Sequence, residues 1–431
     1  MNDDNNIFGA SAGGMNRRTL LKTGATVAAT AAASSFMPGT AFGAGGAPEV
    51  RGAKLGFIAL TDAAPLIVAK ELGLFAKHGM PEVVVAKQAS WGATRDNLVL
   101  GSGAGGIDGG HLLSPLPYFL TMGIQARATP MNILARLNVN GQGISVDKEY
   151  MAAHADLNAA KMKGVIAQRK GAGKKITMAM TFPGGTHDLW IRYWLAAGGI
   201  NPDVDVNLIT IPPPQMVANM KAGTMDAFCV GEPWNEQLVQ QQLGYSAVST
   251  GQLWMNHPEK CFGMRADWVA AHPNAAVALT AAIIEAQRWC DSPANVSRLA
   301  MMIGGRDYLK VAVGDIASRL QGNFGMGDGR RYTNAPFKMK FFAGNASFPY
   351  KSHDLWFITE NQRWGKIPLS TNGLAVVNRV NRSDIWRRAG ASVGVAAPAG
   401  DSRGPERFFD GKVFNPANPR AYLASLGIKR V

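Results

Sequence analysis

Phe182, Pro183, Gly184, Gly185, Thr186 and His187 lie between an alternating apolar stretch (176–181) and an amphipathic one that ends at Gly198 and Gly199. That order predicts a strand, a turn and the start of a helix. The first turn of a helix has unpaired N–H groups and the positive end of the dipole, so it can seat an anion. Gly184 and Gly185 would let the backbone close on a ligand, Thr186 is of N-cap type, and His187 falls in the first turn. The same residues also read as an ordinary capped turn with a solvated histidine. Trp91 in the turn 88–92 and Gln142 in 140–143 follow apolar strands, and Lys260 precedes one. Strand-exit loops are where open α/β sheets take their ligands. Each of these residues has a plain alternative: a surface aromatic, a turn residue, a solvated cation.

Other chemistries find little support. The seven histidines include no i, i+4 pair of the helical metal-site kind, and no nucleophile elbow or phosphate-binding Gly-Lys loop occurs. Gly101, Gly103 and Gly106 form a bare GxGxxG, but a strand follows them rather than a helix, the wrong context for a dinucleotide. Cys229, Cys261 and Cys290 cannot all pair and match no zinc spacing, so buried free thiols are expected. No cofactor and no metal are expected. The net charge of +14 comes without a run of five Lys or Arg, so the basic balance suits an anionic ligand or a basic surface, not nucleic acid.

The elements that must position these residues repeat as strand, turn, helix. Strands are expected at 54–60, 83–86, 106–109, 132–139, 176–181, 206–211 and 226–230. Helices are expected at 63–77, 94–101, 116–122, 215–222, 275–290 and 352–364. Alternation of this kind predicts an α/β fold with a largely parallel sheet. Beyond about residue 325 the pattern weakens, and 391–431 reads as a loop-rich extension with one short helix near 422–426.

The N-terminus reads as an address. Arg17-Arg18 before Leu20-Leu21-Lys22, a short Ala-rich run and the small residues around Gly43 resemble a twin-arginine (Tat) signal cleaved after Gly43. The run is too weak for a spanning helix, and no cysteine near the cleavage point indicates a lipid anchor.

Long blocks then resemble one family. KQASWGATRDNL (87–98), GGIDGGHLLSPLPY (105–118), LNVNGQGISV (137–146), TFPGGTHDLWIRYWLAAGGINPD (181–203), PPPQMVANMKAGTMDAFCVGEPWN (212–235), HPEKCFGMRADWV (257–269) and DLWFITENQRWGKIP (354–368) are similar to the nitrate/bicarbonate-binding solute-binding proteins of bacterial ABC importers. The resemblance implies a non-catalytic, periplasmic protein of the two-lobed type II periplasmic-binding architecture, with a hinge and an interlobe cleft. Its lobes would be 50–140 with 261–390, and 141–260. The implied ligand is nitrate or nitrite, and the implied partner is the membrane permease and ATPase complex. The implied pocket falls on Trp91, Gln142, Gly185, Thr186, His187 and Lys260. Bicarbonate-type members tend to carry an acidic residue and use calcium where this chain has Lys260, so the lysine favours nitrate without metal. Bicarbonate and cyanate remain alternatives, as does a nitrate sensor acting on a regulator, which would lack the export signal. His111 departs from the family, standing where a polar amide is expected.

Overall fold

The computed structural model describes residues 46–430. The twin-arginine block and the cleavage point at Gly43 lie outside the described residues. Ten strands make the two main sheets: β1 (Lys54–Phe57), β2 (Val84–Lys87), β3 (Gly109–Leu113), β4 (Met131–Arg136), β5 (Gln142–Asp147), β6 (Thr177–Met180), β7 (Asn207–Thr210), β8 (Ala227–Gly231), β9 (Gly244–Ser249) and β10 (Lys260–Arg265). One five-stranded sheet runs β2-β1-β3-β10-β4 and the other β7-β6-β8-β5-β9. Each is the centre of one lobe of an α/β fold.

The expectation of largely parallel sheets holds for only half of each. β1 is parallel to β2 and β3, and β6 is parallel to β7 and β8. β10 runs antiparallel between β3 and β4, and β5 antiparallel between β8 and β9. The chain leaves the first sheet after β4, starts the second with β5 and returns as β10. Such a strand enters from the opposite end, and a sequence window cannot reveal it. The entry points matter: Gln142 opens β5 opposite Gly231 at the end of β8, and Lys260 opens β10 opposite Leu113 at the end of β3.

The helix expected over 63–77 is broken into Ala64–Glu71 and Leu74–Lys77 by Gly73 at φ +66°. There the left-handed backbone, open only to glycine at low cost, ends one helix and aims the next.

Two segments with weak sequence patterns bind the lobes together. Residues 313–341 leave the first lobe, place the helix Val313–Gln321 against the helix Trp234–Gln240, and cover the edge strand β9. Ser246 N–H donates to the Met326 carbonyl (2.7 Å), and the Arg330 guanidinium reaches the carbonyls of Ser246 and Ala247 (3.0 Å each). Covering an edge in this way removes a site for unwanted strand pairing. Arg319 is buried among Glu232 (2.6 Å), Glu236 (2.7 Å) and the Ser246 hydroxyl (3.0 Å). Breaking a buried pair of this kind leaves bare charge and costs about 3–5 kcal/mol.

The second segment is the C-terminal one, expected as a loop-rich extension. Its short helix spans Pro419–Ser425. Glu406 accepts the Trp254 indole N–H (3.0 Å) and faces His353 (3.3 Å). Phe409 N–H donates to the Leu253 carbonyl (2.9 Å), the Tyr193 hydroxyl to Asp410 (3.1 Å), and the Tyr422 hydroxyl to Glu360 (2.6 Å). Phe408 stacks on Trp356 (5.8 Å, 27°), which stacks on Trp190 (4.9 Å, 19°). Cys229, Cys261 and Cys290 are buried and unpaired. No helix among the described residues is long and apolar enough to cross a membrane.

Candidate functional site

The ends of strands from both sheets meet where β5 and β10 begin. The helix Thr186–Ala197 starts there, with Gly185 at its N-cap. Thr186 has the residue type of a cap but is already helical, and its hydroxyl donates to Glu259 Oε2 (3.0 Å). Asp188 satisfies the turn instead, accepting the Gly184 N–H (2.7 Å). The close approach that Gly184 and Gly185 permit is to the first lobe. A Cβ at Gly184 would stand 2.5 Å from the Phe119 ring, and one at Gly185 2.8 Å from Leu113.

His187 lies in the first helical turn, as expected, but it is fully buried rather than solvated. Its Nε2 is 2.6 Å from Gln142 Oε1 and its Nδ1 2.5 Å from the Thr181 hydroxyl. Gln142 Nε2 donates to Asp62 Oδ2 (3.0 Å), which ties a residue of the second sheet to the turn that follows β1. Lys260 is fully buried, with Nζ 3.0 Å from Asp62 Oδ2 and 2.7 Å from Glu259 Oε2. Trp190 Nε1 donates to Glu259 Oε1 (2.6 Å). His111 Nε2 lies 2.7 Å from Asp62 Oδ1.

Trp91 is the first residue of the helix Trp91–Leu100, where a loop was expected, and it is buried rather than surface-lying. Its ring is 5.4 Å from that of His111, tilted by 50°, and its buried indole N–H has no partner among the described residues. An unpaired buried donor is costly. Gly231 completes the wall: a Cβ there would stand 2.7 Å from Gln142 Oε1.

Gln142, Thr186, His187 and Lys260 thus join one network through Asp62 and Glu259. Trp91 reaches it through His111, and Gly185 borders it against Leu113. The two carboxylates, Trp190 and Gly231 were not anticipated, and His111 was noted only as a departure. Asp62 does follow a predicted strand, and Glu259 does adjoin Lys260, but acidic residues in loops are usually solvated.

Burial dominates the electrostatics, modified by close charges. Burial alone would raise Asp62, yet Lys260 and His111 hold it below the usual carboxylate range. Burial alone would lower Lys260, yet Asp62 and Glu259 raise it. Burial raises Glu259 against the pull of Lys260. Burial lowers His111, and burial with Lys260 pushes His187 well below the usual histidine range. Both shifts favour the neutral imidazole, that of His187 the more strongly. The donors that the two lobes bring to this region are the helix start at 186–187, the Lys260 ammonium, which also contacts Asp62 and Glu259, and the Trp91 N–H beyond His111. A helix start and a buried ammonium are groups that can hold a small anion away from water.

The NMT1-like family matches residues 46–304. The chain is 56% identical over 392 residues to the nitrate/nitrite binding protein NrtA of Synechococcus elongatus, covering 90% of this chain and 88% of that protein. It is 43% identical over 396 residues to the bicarbonate-binding protein CmpA of the same organism, covering 89% and 88%. The crystal structure of the periplasmic nitrate-binding protein NrtA from Synechocystis PCC 6803 superposes with a TM-score of 0.87 at 55% identity, covering 89% of this chain and all of that one.

Proposed function

The chain belongs to the NMT1-like family and, within it, to the nitrate- and bicarbonate-binding solute-binding proteins of ABC importers, and from that premise we propose that it binds nitrate, and nitrite in the same seat. It acts without catalysis, delivering the anion to a membrane permease and its ATPase. Its lobes are 50–140 with 261–390, and 141–260, except that Lys260 itself opens β10 of the first sheet and 313–341 packs on the second lobe. The pocket is Trp91, Gln142, Gly185, Thr186, His187 and Lys260, with no metal. The observation that carries this reading is Lys260, a fully buried ammonium at the meeting of the two sheets. A lysine there balances one of the two buried carboxylates beside it, Asp62 and Glu259, where an acidic residue would add a third and call for a divalent cation. The greater identity to the nitrate/nitrite binding relative than to the bicarbonate-binding one points the same way.

Calorimetry with nitrate, nitrite, cyanate and bicarbonate, the last with and without calcium, tests this. Nitrate is expected to bind, to change tryptophan emission through Trp91, and to stabilise the fold by about 2.7 kcal/mol at a hundred times Kd. Calcium-dependent bicarbonate binding with no response to nitrate would overturn it.

The protein's place is the periplasm, reached by the Tat route. The adjacent Arg17 and Arg18 support this route. Changing both to Lys is expected to strand the precursor in the cytoplasm. Mature protein still found in the periplasm would remove the Tat assignment.

A further inference from the structure

Asp62 and Glu259 set two carboxylates against the single ammonium of Lys260, and all three are fully buried. The ionised cluster therefore carries one excess negative charge before an anion enters, and nitrate would add another. Buried charge of one sign is expensive, and the usual remedy is a proton.

The hydrogen-bond roles decide where that proton can go. His111 Nδ1 accepts the Ile58 N–H (3.4 Å) while Nε2 donates to Asp62, so a second proton would set two N–H groups against each other. Glu259 accepts from Trp190, Thr186 and Lys260, of which Trp190 and Lys260 can only donate, so a proton on it would find an acceptor only if the Thr186 hydroxyl gave up its bond and turned. His187 is different. Asp62 holds the amide of Gln142 with its nitrogen towards the carboxylate, so Gln142 presents an oxygen to His187 Nε2. On the other side Nδ1 meets a Thr181 hydroxyl, which can turn from donor to acceptor. An imidazolium at His187 keeps both bonds.

We propose that His187 takes up one proton from solvent when the anion binds, so that nitrate enters together with a compensating positive charge. This rests on the anion-binding reading above. The groups facing His187 are Lys260 on β10, Asp62 after β1, His111 on β3, Glu259 through Thr186, and on its own helix Asp188, which is paired to Arg192 (2.6 Å). In the free protein, burial and Lys260 keep the imidazole neutral. An anion beside Lys260 cancels that repulsion and raises the bound-state value above the free one. Binding then consumes protons, so affinity strengthens as pH falls and weakens as it rises, by up to about tenfold per pH unit for one proton.

The test is calorimetry of the mature protein with sodium nitrate at about pH 6.5, near the ordinary histidine value, in two buffers of different ionisation enthalpy. The heats are expected to differ, and their difference divided by that of the ionisation enthalpies to give a proton count between zero and one, while Kd is expected to rise severalfold towards about pH 8. His187→Gln, once shown to melt cooperatively, should bind with equal heats in both buffers and a flat pH profile. If that variant does not fold, the imidazole nitrogen shifts of His187 in wild-type protein give the readout, moving to imidazolium values on adding nitrate. Equal heats in wild type, an imidazole that stays neutral when nitrate binds, or uptake that survives in His187→Gln would overturn the proposal. In the last case the proton belongs to Glu259 or His111. No nitrate binding in either buffer would remove the nitrate reading and this inference with it.

Discussion

Replacing Lys260 by Ala is expected to weaken nitrate binding by at least about a hundredfold. Truncating one partner of a buried charge pair costs about 2–5 kcal/mol, and a decade in Kd is about 1.4 kcal/mol. The upper part of that range applies because the loss is double. The anion loses its cation, and Asp62 and Glu259 lose the ammonium that both contact. An incoming anion then faces two carboxylates. The fold suffers as well, by about 3–5 kcal/mol before either carboxyl protonates. The pH dependence has a definite sign. Asp62, which burial alone would raise, is held low by Lys260 and His111. It contributes stability above its unfolded value of about 3.9, and that stability is lost as pH falls through the folded value. Without Lys260 this acid loss begins at a higher pH. Lys260→Glu should abolish nitrate binding altogether, while Lys221→Ala, an exposed helix-end change, should leave it unaltered. Titration of the variants with nitrate, and melts across acid pH, give the answer. Wild-type affinity in Lys260→Ala would mean that the ammonium serves only the carboxylates.

Removing residues 401–431 is expected to abolish cooperative folding of the remainder, or to lower its Tm drastically. The segment caps an aromatic stack that runs from Phe408 through Trp356 to Trp190, and Trp190 in turn holds Glu259. Without it the Trp254 indole and Glu360 lose hydrogen-bond partners. Phe408, Phe414, Tyr422 and Leu426 leave the core. Truncating one buried aromatic to Ala already costs about 3–5 kcal/mol, against a total stability of about 5–15 kcal/mol. Phe408→Ala is the milder probe, expected to melt several degrees lower, since about 2–4 °C follows each kcal/mol in domains somewhat smaller than this chain. Differential scanning calorimetry decides it. A truncated protein with unchanged Tm and nitrate affinity would make the segment dispensable.

Much of the fold was legible from local pattern. Most parallel strands and helices were expected at their places, because apolar periodicity and Gly-Pro punctuation mark them directly, but β3, expected at 106–109, lies at Gly109–Leu113. The omissions share a cause. β5 opens Gln-Gly-Ile-Ser and reads as a turn, and β9, Gly-Tyr-Ser-Ala-Val-Ser, is short and small-chained. Both are made strands by partners far along the chain. The site was legible in part for the same reason. The Gly185 to His187 turn carries its own local logic of glycines, cap type and dipole. Asp62 and Glu259 do not, since a carboxylate becomes part of a pocket only through residues brought from elsewhere, as Gln142 is brought to Asp62 across 80 positions. Thr186 shows the converse: its type suits a cap, but a tertiary acceptor in Glu259 claims the hydroxyl.

The three buried thiols have a use beyond packing. Burial raises all of them, Cys261 to about 12, so in the folded protein none presents a reactive thiolate. Cys229 lies on β8 in the second sheet, Cys261 on β10 in the first, and Cys290 at the end of the long helix Pro273–Cys290. Each can be alkylated only when its own element opens, so the rate at which each acquires a label is a clock for that element. Mass spectrometry of briefly labelled protein would read the three clocks separately. The molecule thereby carries its own record of whether its two lobes come apart together or in turn.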